Sequence, residues 1–181
     1  MRRMMMSVVV LFLSGLLGAE RADAQQSLKY TANEMMQMFP ESIGDLSREA
    51  ILQPQLSEDI HAKYTGAGWE LDVEAWNVPD HFGDDAAAID NSLEKFAFGA
   101  KREGIAAERY DLRTNGGRTG SCMRAFVARE NAFFAVCAFV VNGLMIEINP
   151  GVTVQNKTRE TVTTEMDSVT AALVDHVAAA Q

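Results

Sequence analysis

Hydrophobic and polar positions are most clearly ordered between residues 109 and 149, where short polar turns separate four strand-like runs. The runs cover residues 109–114, 118–128, 132–141 and 144–149. The turns between them are Asn115-Gly116-Gly117, Arg129-Glu130-Asn131 and Asn142-Gly143. Strands joined by such short connections must pair antiparallel, so this pattern predicts a four-stranded meander.

The third of these runs is apolar on both sides. One side carries Phe133, Ala135, Cys137 and Phe139, and the other carries Phe134, Val136, Ala138 and Val140. A strand with that composition is typical of the middle of a sheet that is covered on both faces. The pattern therefore predicts a central strand with helices or a second layer on each side.

A second clear alternation lies upstream and predicts a hairpin. A strand at residues 60–64 and a turn at 66–68 lead into a strand at 69–76. Trp69, Leu71, Val73 and Ala75 share one side of the second strand, and Glu70, Asp72 and Glu74 share the other. Carboxylates at alternate positions lie about 6–7 Å apart along a strand, so a solvated face is favoured over a cation site.

Helical spacing appears three times. A short helix begins after Thr31, where Glu34 completes a capping box, and ends at Pro40. Two longer apolar stripes begin near Asp85 and near Thr158. A polar, irregular connection carrying Ile43, Leu46, Ile51 and Leu56 follows the short helix. The predicted class is α+β: an antiparallel sheet, made of a hairpin and a four-stranded meander, covered by two longer helices and one short N-terminal helix.

The two cysteines lie in the central hairpin of the meander. If Arg129-Glu130 forms a two-residue loop, Cys122 falls directly opposite Cys137. A turn on Glu130-Asn131 would instead place Cys137 opposite Arg124. If the chain is exported, as its first residues predict below, its two cysteines are most economically interpreted as one disulfide bond, Cys122 to Cys137.

The first residues predict export. Arg2 and Arg3 precede an apolar run at residues 8–17, and Ala22-Asp23-Ala24 fits the small-x-small rule of signal peptidase. The run is shorter than the roughly 20 residues that span a bilayer. We therefore expect residues 1–24 to be a cleaved signal peptide, residues 25–181 to be a single domain, and the mature protein to be periplasmic or secreted.

Charge and motifs exclude several classes of function. The formal net charge is −9, so nucleic acid and anionic membrane surfaces are poor partners. No cofactor is predicted, because the glycine-rich stretch at 115–120 joins two strands and does not open a helix. Ser121 lacks a nucleophile elbow, and the sequence places no base beside it, so an enzyme is not predicted.

A metal-handling protein is the alternative from another class. Thioether sulfurs select Cu(I), and Met35, Met36 and Met38 lie close together on the short helix. An acidic loop with Asp80, Asp84 and Asp85 could attract Ca²⁺, although it lacks the ligand alternation of a calcium loop. Core packing of the methionines and helix capping by the aspartates explain the same residues without a metal.

A resemblance supports a binding role. Residues 39–46, Phe-Pro-Glu-Ser-Ile-Gly-Asp-Leu, are followed by a strand with Tyr64 and by the alternating strand at 69–76. This order, which covers most of the mature chain, resembles small exported bacterial domains of unknown function whose architecture is similar to the PsbP/DcrB-like α/β/α sandwich. The resemblance implies an accessory or binding role and transfers no catalytic residue.

The sequence-based hypothesis is a non-catalytic module that binds a protein or an envelope component. Trp and Arg dominate contact energies at protein interfaces. Trp76 lies on the polar side of its strand, and four arginines lie in or beside the meander. The predicted partner surface is therefore Trp76, Arg113, Arg118, Arg124 and Arg129.

Overall fold

The alternating runs form one eight-stranded antiparallel sheet in the computed structural model of the chain, which describes residues 29–54, 58–66, 68–154 and 157–181. The predicted signal peptide and Leu56 lie outside the described residues. The strands are β1 (Ser42–Ile43), β2 (Leu46–Leu52), β3 (Ile60–Gly66), β4 (Trp69–Asn77), β5 (Ala107–Arg113), β6 (Thr119–Val127), β7 (Ala132–Val141) and β8 (Leu144–Thr153). Their order across the sheet is β1-β2-β3-β4-β8-β7-β6-β5. The predicted α+β class is confirmed.

The sheet is larger than the hairpin plus meander that the sequence predicts. β4 pairs with β8, which joins the hairpin β3-β4 to the meander β5-β8 edge to edge. The supposedly irregular connection contributes two further strands, β1 and β2. The register of β2 shifts between Arg48 and Ala50, and this irregularity interrupts the alternation by which a strand is recognised in sequence.

Helices cover both faces of the sheet and define two cores. Helix α1 (Ala32–Met38) and helix α3 (Arg159–Ala179) pack on the face that holds the main core. Helix α2 (Asp85–Arg102) packs on the other face, above a smaller core. The smaller core consists of Ala88, Leu93, Val136, Ala138 and Met145. β7 contributes to both cores, as its two apolar sides predict.

Each of the three α-helices, α1, α2 and α3, begins at a side chain that accepts a hydrogen bond from its first turn. Glu34 N–H donates to Thr31 Oγ1 at 3.3 Å, and Thr31 N–H donates to Glu34 Oε2 at 2.7 Å, which completes the predicted capping box. Asp84 caps α2, and Thr158 caps α3. These caps satisfy amides that a helix leaves free at its start.

The predicted disulfide joins β6 to β7. Cys122 lies directly opposite Cys137 in the β6-β7 register, and their sulfurs are bonded. The register is the predicted one, but the turn is longer: four residues, 128–131, connect the strands, and Asn131 takes a positive φ of 48°. The longer turn keeps its centre at Arg129-Glu130, so the pairing of the cysteines is unchanged.

Helix α2 covers only part of its face. It packs on β6, β7, β8 and β5. Over β2 to β4, the side chains on the same face are largely exposed, among them Leu52, Glu70 and Asp72. This half of the sheet surface is acidic and open. No helix in the described part of the chain is long and apolar enough to cross a membrane.

Candidate functional site

The five residues of the predicted partner surface do not lie on one surface. Arg113 ends β5, and its side chain faces the α2 side because side chains alternate along a strand. Arg124 lies within β6 and faces the α3 side, where its guanidinium stands over Tyr110. Arg118 precedes β6, and Arg129 lies in the turn that follows it. The sheet therefore separates Arg124 from Arg113.

Trp76, the remaining residue of the predicted partner surface, is only partly exposed. Alternation does place it on the polar side of β4, as predicted. However, Trp76 is half-buried and packs against the smaller core, as Val78 and Phe82 also do. Trp76 is thus partly buried, and its role in a partner surface stays a prediction.

Arg124 is the centre of a local arrangement on the α3 side. Its guanidinium carbon lies 4.5 Å from the centroid of the Tyr110 ring. Arg124 Nη2 also lies 3.2 Å from Glu108 Oε2, its cross-strand neighbour on β5. A guanidinium over an aromatic face is attracted by the negative charge density of the ring. Ring and carboxylate together hold Arg124 in one orientation.

Tyr110 is fixed from the other side by α3. Its hydroxyl donates a hydrogen bond to Asp167 Oδ1 at 2.7 Å. Burial raises the pKa of the Tyr110 hydroxyl far above its usual value, and the bond to Asp167 raises this pKa further. The phenol is therefore a permanent donor at physiological pH, and its ring is a fixed platform for Arg124.

A second arginine stacks next to the first. Arg159, at the start of α3, places its guanidinium carbon 3.6 Å from the centroid of the Phe126 ring. Phe126 in turn packs against Phe133 at a ring distance of 5.0 Å. Phe126 lies two residues after Arg124 on β6, so the two stacks are neighbours on the same face. We call Tyr110, Arg124, Phe126 and Arg159 the arginine-aromatic surface.

Ser121, considered as a nucleophile from the sequence, is hydrogen-bonded to groups other than histidine. Ser121 Oγ donates to Asp111 Oδ1 at 2.8 Å on the α2 side of the sheet. His176 is exposed on α3, across the sheet from Ser121. His61 lies 3.8 Å from Glu74 on the β3-β4 hairpin. Among the hydrogen bonds of the described residues, those of Ser121 Oγ join it to Asp111 and Arg109 and not to a histidine.

The methionines and aspartates that the sequence offers as metal ligands lie in or against the core, cap a helix or are exposed. Met35 and Met38 are buried in the main core, and Met36 packs against it. Asp84 caps α2 by accepting from Ala87 N–H at 2.8 Å, while Asp80 and Asp85 are exposed. Among the residues that the structure describes, no three His, Cys, Asp or Glu side chains are grouped to hold a metal ion.

Two open depressions are present in the described surface. One, of about 410 Å³, lies between α1 and the C-terminal residues and is lined in part by Tyr30 and Gln181. The other, of about 440 Å³, lies between the end of α2 and Met123. Neither depression is lined by Tyr110, Arg124, Phe126 or Arg159.

A pair of carboxylates on the α2 side could not be found from sequence. Glu74 on β4 lies directly opposite Glu147 on β8. Glu147 accepts a hydrogen bond from Ser92 of α2 and another from Asn149 Nδ2 at 3.2 Å. Burial raises the pKa of Glu74, His61 partly offsets this, and the facing Glu147 raises the pKa further. Residues 78–143 separate these strands in the chain, and no local pattern predicts their pairing.

We expect Glu74→Gln to raise the free energy of unfolding at pH 7 by up to about 1 kcal/mol, because like charges directly opposite each other destabilise a sheet. A raised pKa in the folded state means that wild-type stability is lost as pH rises from the ordinary value of 4.5 through the folded pKa. The advantage of the variant should therefore vanish in acid. Urea denaturation from about pH 4 to about pH 8 measures this.

The matched control for this prediction is Glu94→Gln. Glu94 is exposed on α2, and its substitution changes the net charge by the same amount. It should produce no comparable gain at pH 7. Equal or lower stability of Glu74→Gln relative to the wild type at pH 7 would contradict the prediction.

The chain matches no protein-family model and none of the curated proteins with which it was compared. Its class is therefore defined by its own fold and surface. It is an α+β protein with an eight-stranded antiparallel sheet between helices and an arginine-aromatic surface beside one sheet edge.

Proposed function

We propose that the protein is an exported, non-catalytic binding module that recognises a protein or an envelope component through the arginine-aromatic surface. The observation that carries the proposal is the pair of adjacent stacks, Arg124 on Tyr110 and Arg159 on Phe126. Arginine and aromatic side chains are enriched among the residues that dominate binding energy. Here they are already held in place, which lowers the entropic cost of forming a contact.

The chemistry of the surface favours a partner segment that carries carboxylates. Arg159 is exposed, and within the described part of the chain it forms no ion pair. Its guanidinium retains its full set of donors in a planar fork that matches a carboxylate. Arg124 uses Nε and Nη2 on Glu108, which leaves Nη1 for a partner.

Export is proposed on two grounds. Residues 1–24 have the charge, apolar run and cleavage pattern of a signal peptide. The disulfide between Cys122 and Cys137 suits an oxidising compartment such as the periplasm. The PsbP/DcrB-like resemblance agrees with an accessory role in the envelope. No observation on the described residues favours the metal-handling alternative.

The test is capture of a partner from the native cell envelope by the tagged protein. We expect the wild type to retain a specific protein and the double variant Arg124→Ala/Arg159→Ala to retain at least about tenfold less of it, since residues of this kind act as binding hot spots. Arg124→Lys keeps the charge but loses the planar stack, and it should also bind more weakly.

The matched control is Arg102→Ala. Arg102 is exposed at the end of α2, on the opposite side of the sheet, where it pairs with Glu103 at 3.4 Å. It should leave capture unchanged. Equal capture by the wild type and the double variant, with both proteins folded by circular dichroism, would exclude this surface as the binding site.

A further inference from the structure

We propose that two copies of this chain associate through the outer edges of their β5 strands, which pair antiparallel about a two-fold axis at Tyr110. β5 is the last strand of the sheet on its side, and no strand in the described part of the chain pairs with its outer edge. A free edge of seven residues is a template for pairing with another chain. This inference is independent of the proposed function.

The pairing of β5 with β6 fixes which residues of β5 turn their backbone N–H and C=O groups towards β6 and which turn them outwards. Thr114 N–H donates to Arg118 O at 2.8 Å, so the backbone groups at this position point towards β6. Antiparallel pairs alternate between bonded and non-bonded, so Leu112, Tyr110 and Glu108 also turn their backbone groups towards β6. The groups of Ala107, Arg109, Asp111 and Arg113 therefore point outwards.

The distance between the two disulfide-bonded cysteines gives an independent check of this assignment of bonded and non-bonded pairs. If Tyr110 and Cys122 form a bonded pair, then Cys122 and Cys137 must form a non-bonded pair on the other side of β6. Non-bonded antiparallel pairs are the closer ones, about 4.5 Å between Cα atoms against about 5.5 Å for bonded pairs. The Cα atoms of Cys122 and Cys137 are 4.0 Å apart, which agrees.

Charge selects one register for two copies. With Tyr110 opposite itself, Arg109 of each copy lies opposite Asp111 of the other, and about eight backbone hydrogen bonds can form. A shift of this register by two residues in one direction places Arg109 of one copy opposite Arg109 of the other. A shift by two residues in the other direction places Asp111 of one copy opposite Asp111 of the other, and Arg109 of each copy opposite Arg113 of the other. Because like charges directly opposite are unfavourable, the self-complementary register is preferred.

The charged side chains are held near the free edge by their own chain. Arg109 Nη2 lies 2.6 Å from Asp90 Oδ1 of α2. Asp111 accepts from Ser121 Oγ at 2.8 Å. Both groups stay exposed on the α2 side, where the partner's opposite charges would join them. On the α3 side, Tyr110 is held by Asp167. Its ring is therefore preorganised to contact the Tyr110 ring of the other copy.

The other edge of the sheet lacks these properties. β1 has only two residues, and β2 behind it changes register between Arg48 and Ala50. Short and bulged strands are the usual means by which proteins block pairing at an edge. The contrast between a blocked edge at β1 and a regular, self-complementary edge at β5 favours β5 as the interface.

Sedimentation equilibrium of the purified protein between about 1 μM and about 1 mM tests the proposal over the range of weak to moderate association. We expect a monomer-dimer equilibrium for the wild type. Asp111→Arg should weaken dimerisation at least about a hundredfold, because it sets like charges opposite each other at two symmetry-related positions. Arg109→Asp should do the same.

An equimolar mixture of the two single variants separates charge pairing from misfolding. In that mixture, Arg109 and the introduced arginine of one chain face Asp111 and the introduced aspartate of the other. Heterodimers at near wild-type affinity would support the proposed register. A monomeric wild type, a dimer that survives Asp111→Arg, or a mixture that stays monomeric while the wild type dimerises would each overturn it.

Discussion

Replacing Gly120 with alanine is expected to lower the free energy of unfolding by about 3 kcal/mol or more, at the upper end of the cost of overpacking a core. Gly120 is buried in β6, next to the disulfide. A Cβ atom there would lie 2.5 Å from Ala138 O and 2.5 Å from Cδ1 of Phe139. The carbonyl belongs to the backbone of β7, and the ring is fully buried, so neither can yield.

Urea denaturation of the purified variant measures this effect, and Gly99→Ala is the matched control. Gly99 lies inside α2, and no atom lies within 4 Å of the Cβ that would be added there. Since glycine in a helix costs roughly 0.5–1 kcal/mol relative to alanine, Gly99→Ala should stabilise the protein by about that amount. A Gly120→Ala variant within about 0.5 kcal/mol of the wild type would contradict the argument.

The sequence predicts most strands of the sheet but not how all of them pair. Strands β3 to β8 were predictable because their side chains alternate or because they are apolar throughout, and polar turns separate them. β1 and β2 were not, since the register shift at Arg48/Ala50 removes the alternation. The pairing of β4 with β8, which makes one sheet of two predicted units, joins strands that α2 and three strands separate in the chain.

The same limit applies to the candidate site. Arg124 was predicted as a partner residue because Trp and Arg dominate contact energies at protein interfaces. Its supports were not, because Tyr110 comes from β5 and Asp167 from α3. The second stack combines Phe126 of β6 with Arg159 of α3, which only the packed fold brings together. Alternation put Trp76 on the correct face but could not show that it is half-buried against the smaller core.

Both proposed interfaces lie on the meander. β5 and β6 carry the arginine-aromatic surface on one face, and β5 offers the free edge beside it. The position of Tyr110, with its ring under Arg124 and its hydroxyl on Asp167, is common to both. In the proposed dimer, two arginine-aromatic surfaces would therefore lie near the two-fold axis on the same face, where one partner could engage both.

Removal of the disulfide is expected to lower the free energy of unfolding by about 3 kcal/mol, the entropic value for a loop of this size. The bridge closes a segment with a sequence separation of 15. The β6-β7 ladder already holds both strands in the folded state, so the bridge acts mainly by restricting the unfolded chain. For a domain of this length, the melting temperature should fall by about 6–12 °C.

Thermal unfolding of the double variant Cys122→Ala/Cys137→Ala measures this loss, and the wild type with and without a reductant provides the comparison. Reduction of the wild type should reproduce most of the decrease in melting temperature, whereas the double variant should no longer respond to the reductant. Because both sulfurs are buried, reduction should require partial unfolding and should be slow under native conditions. A double variant as stable as the oxidised wild type would show that the bridge contributes nothing, and the stability of the meander would then rest on strand pairing and on the two cores that share β7.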